Sequence, residues 1–286
     1  MKMKTPLIAI SLVLAASACG RSPSRLLRQG QLALNDFPLF LTDGNTGGTT
    51  GRLIRFERDK TQTDVATGLD TPQGVATDKF GNVYVVEAGS ANRVRKFPVS
   101  GGAGTTLITG LSSPSNIAVD SFGEVYITED GTKSIKRVSD GKVMVTLSQI
   151  PTALTIGVDD TVIYGAYYMN QMFWGLSAAA ESVTSNQPVN AAVDNYGLVY
   201  VAEDYGGSNS KIVRFDQKSP TNRTDVASGI SSPQGIAVDP VGNVYIVQSA
   251  GSAGILIAAA DGSAYLFRAI GPTTFLTPKF IAFTQY

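Results

Sequence analysis

The chain has no histidine. That removes Ser-His-Asp and Cys-His nucleophilic sites, histidine-liganded zinc and the commonest general base at neutral pH. Cysteine occurs once, at Cys19, so no disulfide can form within the chain. Charge is scarce, at 16% of residues, and 23 Lys and Arg balance 23 Asp and Glu. No basic surplus is left to neutralise phosphates, which argues against nucleic-acid binding. Glycine-rich phosphate loops, zinc-ligand spacings and dinucleotide fingerprints are also missing. The apolar run 7–15 is too short to hold a helix across a bilayer.

What is present is a hairpin that repeats. Residues 233–248, PQGIAVDPVGNVYIVQ, read as two short strands around a tight turn. Copies stand at 72–87 (PQGVATDKFGNVYVVE), 114–129 (PSNIAVDSFGEVYITE) and 188–203 (PVNAAVDNYGLVYVAE). Residues 153–166, ALTIGVDDTVIYGA, are a degraded copy without the turn glycine, and 278–283, PKFIAF, are a shortened one. The shared turn aspartates are read as Asp78, Asp120, Asp159, Asp194 and Asp239. A period of roughly 40 residues with several strands per period points to a propeller. Asp followed three residues later by Gly is turn chemistry, because Gly81, Gly123, Gly197 and Gly242 can take positive φ. The second strand, such as 83–86 (VYVV), is apolar at successive positions and must be buried on both faces. The middle of the first strand is small: Ala76, Ala118, Gly157, Ala192, Ala237 and Ala282. Strands converging on a central axis would require that.

Each unit continues into a third strand, as at 93–97 (RVRKF) and 211–215 (KIVRF), and then a fourth. The shortened copy at 278–283 finds its missing strands at the other end of the chain, in 37–43, 52–56 and 63–66. One blade built from both termini would close the ring and remove open sheet edges. The expected fold is an all-β six-bladed propeller over 37–286, with four-stranded antiparallel blades and almost no helix. The motif P-x-G-[IV]-A-[VT]-D-x-x-G-N-V-Y-[IV]-x-[EQ] resembles the NHL-repeat family of β-propellers. That resemblance implies the fold and leaves the function open.

Residues 1–18 read as an export signal: Lys2 and Lys4, the apolar core 7–15, then Ala16-Ser17-Ala18. With Cys19 this resembles the bacterial lipobox, which implies a lipid on Cys19. The departure is Ala16, where that motif most often has Leu, and Ala-x-Ala also fits ordinary signal cleavage. Residues 19–36 then read as a lipid-anchored tether. The expectation is a monomer in the cell envelope, facing the periplasm or exterior, with the lipid as its only membrane attachment.

The loops after the second strand and before the first should open on one face of the ring. Asp43, Glu87, Glu129, Glu203 and Gln248 end the second strands there. They could form a ring of acceptors for a cation or a polyol, or each could cap a turn. Gln73, Ser115, Asn116, Val189, Asn190, Gln234 and Lys279 follow the prolines on the same face. Resemblance to gluconolactonase-like propellers would imply a divalent metal at that entrance. Here Asn116 and Asn190 come without a carboxylate, whereas a hard cation such as calcium prefers several charged oxygens. No metal, cofactor or catalytic residue is assigned. The streptogramin and amidating lyases use histidine, so its absence argues against that resemblance. The divergent stretch 167–174, YYMNQMFW, places Tyr167, Tyr168 and Trp174 where other units have a turn and third strand. Such residues suit a partner surface, or they fill a gap in a short blade. The expected function is a binding or scaffold module for a protein, peptide or glycan. The alternative is a metal-dependent lactonase-like hydrolase or a lyase using carboxylates at the channel mouth.

Overall fold

A computed structural model describes residues 38–44, 48–57, 61–177, 180–240, 242–248, 254–258, 264–267 and 278–283. The signal segment 1–18, Cys19 and the tether 19–36 lie outside the described residues. The described chain is a six-bladed β-propeller. The first blade takes β1 (Leu39–Asp43), β2 (Gly51–Phe56) and β3 (Gln62–Leu69). The second is β4 (Pro72–Thr77), β5 (Val83–Glu87), β6 (Arg93–Phe97) and β7 (Thr105–Ile108). The third is β8 (Pro114–Val119), β9 (Val125–Glu129), β10 (Ser134–Arg137) and β11 (Val143–Thr146). The fourth is β12 (Pro151–Ile156), β13 (Val162–Ala166), β14 (Gln171–Trp174) and β15 (Glu181–Thr184). The fifth is β16 (Pro188–Val193), β17 (Leu198–Glu203), β18 (Ser210–Asp216) and β19 (Ser219–Ile230). The sixth is β20 (Pro233–Val238), β21 (Val244–Gln248), β22 (Gly254–Ala258) and β23 (Ala264–Phe267). Finally β24 (Pro278–Phe283) returns to pair with β1 as the innermost strand of the first blade. Among the described residues the one helical turn is a 3-10 turn at Tyr167–Met169.

Closure has the expected register. Leu39 pairs with Phe283, Phe40 with Ala282 and Leu41 with Ile281. The inner strands β24, β4, β8, β12, β16 and β20 each pack on the next, and the last returns to β24. Among the described residues five neighbouring pairs of blades bury an apolar layer; one holds Ala76, Tyr84, Ile117, Val119 and Ile127.

The hairpin turn explains its own residues. Asp78 Oδ1 accepts the N–H groups of Phe80 and Asn82, each at 2.9 Å. Its Oδ2 takes the Asn82 amide at 2.7 Å and the Tyr84 hydroxyl at 3.0 Å. Gly81 closes the turn at φ +79°, a left-handed conformation that costs glycine little. Tyr245 and Asp239 repeat the hydroxyl bond at 3.3 Å. Burial, reinforced by the Asp239 charge, pushes the Tyr245 phenol well above its ordinary range.

The small position faces the next blade. Ala76 packs against Ile117 and Val119, and Ala118 against Leu154. The fourth blade corrects the alignment. Its turn begins at Gly157, whose N–H bonds Thr161 O at 2.8 Å as that of Asp78 bonds Asn82 O at 3.0 Å. Gly157 therefore stands in the aspartate slot, and Thr155 takes the small position facing Ile163. Asp159 falls in the slot of Phe80, and Asp160, at φ +62°, in that of Gly81. Gln217 fills the gap from the fifth blade: its Oε1 accepts Val158 N–H at 3.1 Å and its Nε2 bonds Asp159 Oδ1 at 2.5 Å.

Candidate functional site

The inner strands run from proline at one face to the Asp turn at the other. The first face carries the blade-to-blade crossovers, the ends of the second strands and the loops into the third. It is the face on which the sequence places a site.

The strand-end acids there do not converge. Each bonds the crossover that leads into its own blade. Glu87 Oε1 accepts Asp70 N–H at 2.8 Å, and Glu129 Oε1 accepts Ser112 N–H at 2.8 Å. Glu203 Oε1 accepts Asn186 N–H at 3.0 Å, and Gln248 Oε1 accepts Ser231 N–H at 2.9 Å. The donor precedes the acceptor by 17 residues in all four. The remaining oxygen meets a base: Arg93 on Glu87 at 2.6 Å, Lys136 on Glu129 at 2.7 Å, Arg223 on Glu203 at 2.8 Å. Asp43 is likewise paired with Arg52 at 2.6 Å. All four acids are buried. Burial is the largest influence on Glu129 and works upward. The bonds from Lys136, Ser112 N–H and Thr132 outweigh it and hold the carboxyl below the usual glutamate range.

These latches clamp a strained backbone. Thr71, Ser113, Gln187 and Ser232, each just before a blade's opening proline, have φ of +51°, +49°, +47° and +45°. Residues before proline avoid compact conformations, and non-glycine residues at positive φ cost on the order of 1 kcal/mol. The latch is therefore structural. The sequence left open a capping role toward the loop into the third strand, and Glu129 and Glu203 also bond that loop, through the hydroxyls of Thr132 at 3.0 Å and Tyr205 at 2.9 Å. The constant spacing of acid and proline is the signal that adds the crossover.

Asn116 and Asn190 are clasps between blades. Asn116 donates its amide to Thr152 O and Asn190 to Gln234 O, both at 3.2 Å. Both are buried. Gly74 stands in the same slot of the second blade. A Cβ there would lie 2.8 Å from Ser115 O and 2.9 Å from Ile117 N. Gln73 is half-buried, and its backbone carbonyl accepts Thr42 Oγ1 at 2.6 Å. Gln234 is half-buried too, and its side-chain amide turns to Pro233 O at 3.3 Å. Among the described residues no group of three or more Asp, Glu, His or Cys is placed to hold a metal ion.

The divergent stretch divides in two. Trp174 and Met172 are buried between the fourth and fifth blades, with Trp174 edge-on to Phe215 at 6.4 Å. That places Trp174 in the packing layer. Tyr167 and Tyr168 stay on the face, edge to face at 5.0 Å, and Tyr168 is 70% exposed. The Tyr167 hydroxyl donates to Gln187 Oε1 at 3.0 Å. Exposed Tyr205 stands on the loop after β17, where its hydroxyl reaches Glu203 Oε2 at 2.9 Å and receives the Asn186 amide at 2.8 Å. Tyr167, Tyr168, Asn186, Gln187 and Tyr205 thus form an aromatic and amide patch where the fourth and fifth blades meet. Tyr205 escaped the sequence reading because it follows the motif in a loop that no other blade shares.

The central cavity reaches the opposite face. It holds about 210 Å³ and is lined by inner-strand residues from Asn116 and Asn190 to the turns at Asp194 and Asp239. Its wall is apolar for the most part, with Ala76, Ala118, Ala192, Ala237 and Ala282 among the lining.

The fold makes the chain a six-bladed β-propeller, and comparison with solved structures agrees. It is similar to a chain of a nidogen/laminin complex at TM-score 0.69 and 14% identity, over 87% of this chain and 98% of that one. It is similar to TolB from Acinetobacter baumannii at TM-score 0.70 and 15% identity, over 88% and 68%. A streptogramin B lyase matches at TM-score 0.55 and 16% identity, over 82% and 74%. At these identities the likeness is one of fold. No family model and no curated protein matches the chain.

Proposed function

We propose that this propeller is a binding module, exported and held to its membrane through a lipid on Cys19. The observation that carries this reading is the fate of the acids. Glu87, Glu129 and Glu203 are committed to crossover N–H groups and to Arg93, Lys136 and Arg223. Carboxylates so engaged are poor candidates for a general acid, a base or a metal ligand. What this face offers a partner is the patch of Tyr167, Tyr168, Tyr205, Asn186 and Gln187. Tyrosine supplies rigid contact area with a hydroxyl at its tip, and the amides supply adaptable hydrogen bonds. That chemistry fits a protein or peptide segment and, secondarily, a glycan.

The lyase alternative is weaker on this chain's own residues. One similar structure is a catalytically inactive histidine-to-alanine form of virginiamycin B lyase from Staphylococcus aureus with quinupristin. This chain has no histidine to play such a part. The test is capture from native envelope extract by the full chain and by its Tyr167→Ser/Tyr168→Ser variant. The reading expects a specific protein or glycan on the parent and at least about tenfold less on the variant, with unchanged thermal midpoints. Equal capture by both removes the patch as the site.

A further inference from the structure

The face at the Asp turns has a feature that the binding patch does not use. The second residue after the turn aspartate is large and aromatic in the second, third and fifth blades, and it points to solvent, whereas the fourth blade has Asp159 in that slot. Phe80 is 75% exposed, Phe122 85% and Tyr196 63%. Neither folding nor the turn requires this. The turn is held by the aspartate and the glycine, and the residue between them bonds only through its backbone N–H. Exposed single apolar residues are ordinary, but a set repeated around one rim is not.

Two further observations say what covers it. Equivalent turns of a ring stand at one height along its axis, so these exposed rings stand round one rim. A peptide would cover one or two of them; a flat surface meets all at once. The chain also enters the ring on this face: β1 begins at Leu39, opposite Phe283, at the turn end of the inner strands. The segment that carries Cys19 joins the ring at this rim. We infer that the rim of Phe80, Phe122 and Tyr196 docks on the lipid bilayer interface. The propeller would then lie flat on its membrane, with the Tyr167–Tyr168 patch turned away toward partners. This deepens the proposed function and rests on the lipid anchor in it.

The chemistry suits an interface. Aromatic rings settle at the headgroup level, and a single acyl chain holds a protein only marginally, so a second attachment is needed. The tether keeps the rim near the membrane, where weak apolar insertion suffices. Charges on this face are mixed: Lys79 lies over the Phe80 ring at 5.4 Å, whereas the fourth blade presents Asp159 and Asp160. Attachment should therefore depend on ring burial and very little on anionic lipid or salt.

The test places a tryptophan at Phe122 (Phe122→Trp) in the chain as isolated from the exporting cell, reconstituted on phosphatidylcholine vesicles with brominated acyl chains. A Tyr168→Trp chain is the control from the opposite face. Bromine should quench the Phe122→Trp reporter at least about twofold and leave the Tyr168→Trp reporter unchanged, with or without anionic lipid. Adding Phe80→Ser and Tyr196→Ser to the Phe122→Trp chain should abolish the quenching while the thermal midpoint stays put. An unquenched rim on a membrane-bound chain overturns the proposal and leaves the anchor standing. A quenched rim on a chain whose Cys19 carries no lipid by mass keeps the rim and removes the anchor. A blue-shifted but unquenched reporter means a protein or a second copy covers the rim, and it also overturns the proposal.

Discussion

The second and fourth blades solve the same packing problem with different means. In the second, polar ties are made inside the blade: Asp78 holds its turn, Glu87 latches its crossover, and Tyr84 joins strand to turn. In the fourth, Gly157 stands in place of the aspartate, Ala166 in place of the glutamate and Ile163 in place of the tyrosine. Packing and a neighbour's side chain take over. Met172 and Trp174 fill the layer toward the fifth blade, Phe173 stacks on Tyr164 at 5.0 Å, and Gln217 reaches across to the turn. The blade that gave up its latch is also the one carrying Tyr167 and Tyr168 in the loop into its third strand. Local polar ties are thus dispensable in a closed ring when an apolar layer compensates, and the space they vacate is where function can be written.

The comparison can be broken most sharply at a latch. Glu87→Ala should cost about 2–3 kcal/mol in chemical denaturation, because it leaves the buried Asp70 N–H without its acceptor and takes the charged partner from the half-exposed Arg93. Ala166→Glu in the fourth blade should bring no gain, since no base of its own blade faces it as Arg93 faces Glu87. If Ala166→Glu stabilises as much as Glu87→Ala destabilises, the fourth blade is merely a damaged copy. Next comes the clasp slot. Gly74→Ala drives a Cβ to 2.8 Å from Ser115 O and should cost about 1–3 kcal/mol, read as a lower thermal midpoint. Asn190→Ala should cost about 1 kcal/mol by losing its amide bond to Gln234 O.

The pH dependence separates the blades as well. Burial works upward on Asp78, but bonds from Asn82, Tyr84 and Phe80 hold its carboxyl below the ordinary 3.8. Glu129 is held below its ordinary 4.5. A depressed carboxyl stabilises the fold above its unfolded pKa and loses that contribution as pH falls through the folded value. Stability should therefore decline as the medium is acidified below about pH 4.5, and Glu129→Gln should flatten that decline. Asp130 has the opposite sign: burial raises it above 3.8 despite the bond from Ser115. Its contribution is full below that pH and fades as pH rises through the folded value. The smallest effect is expected at Tyr168→Ser, within about 0.5 kcal/mol, because the ring is in solvent. A larger loss would move Tyr168 from the patch into the packing.

Much of the architecture was legible in the chain. Pro at the start of each inner strand, Asp and Gly at the turn and the doubled apolar run are local devices, and local chemistry repeats visibly in sequence. Closure was legible for the same reason, since 37–43 and 278–283 are incomplete alone. The degraded turn was misread by two residues, with Asp159 chosen over Gly157. An aspartate close to the right place outweighs a glycine until the Gly157–Thr161 bond is seen. Asn116 and Asn190 read as entrance residues and line the cavity; that they also clasp the blades together was not legible, because their partners, Thr152 and Gln234, belong to other blades. Tyr205 and the exposed rim were not singled out, since exposure is decided by what lies across the ring.

The amino-acid order determined the repeating hairpin, the number of blades and the terminal strands that pair, since each depends on neighbours within a few residues or on complementary unpaired edges. Which polar groups are already spent on their own crossovers, which aromatic rings are packed and which stand in water, and which face the cavity reaches were settled only when the blades came round the axis. Those properties belong to contacts between distant segments, and no window of sequence contains both partners.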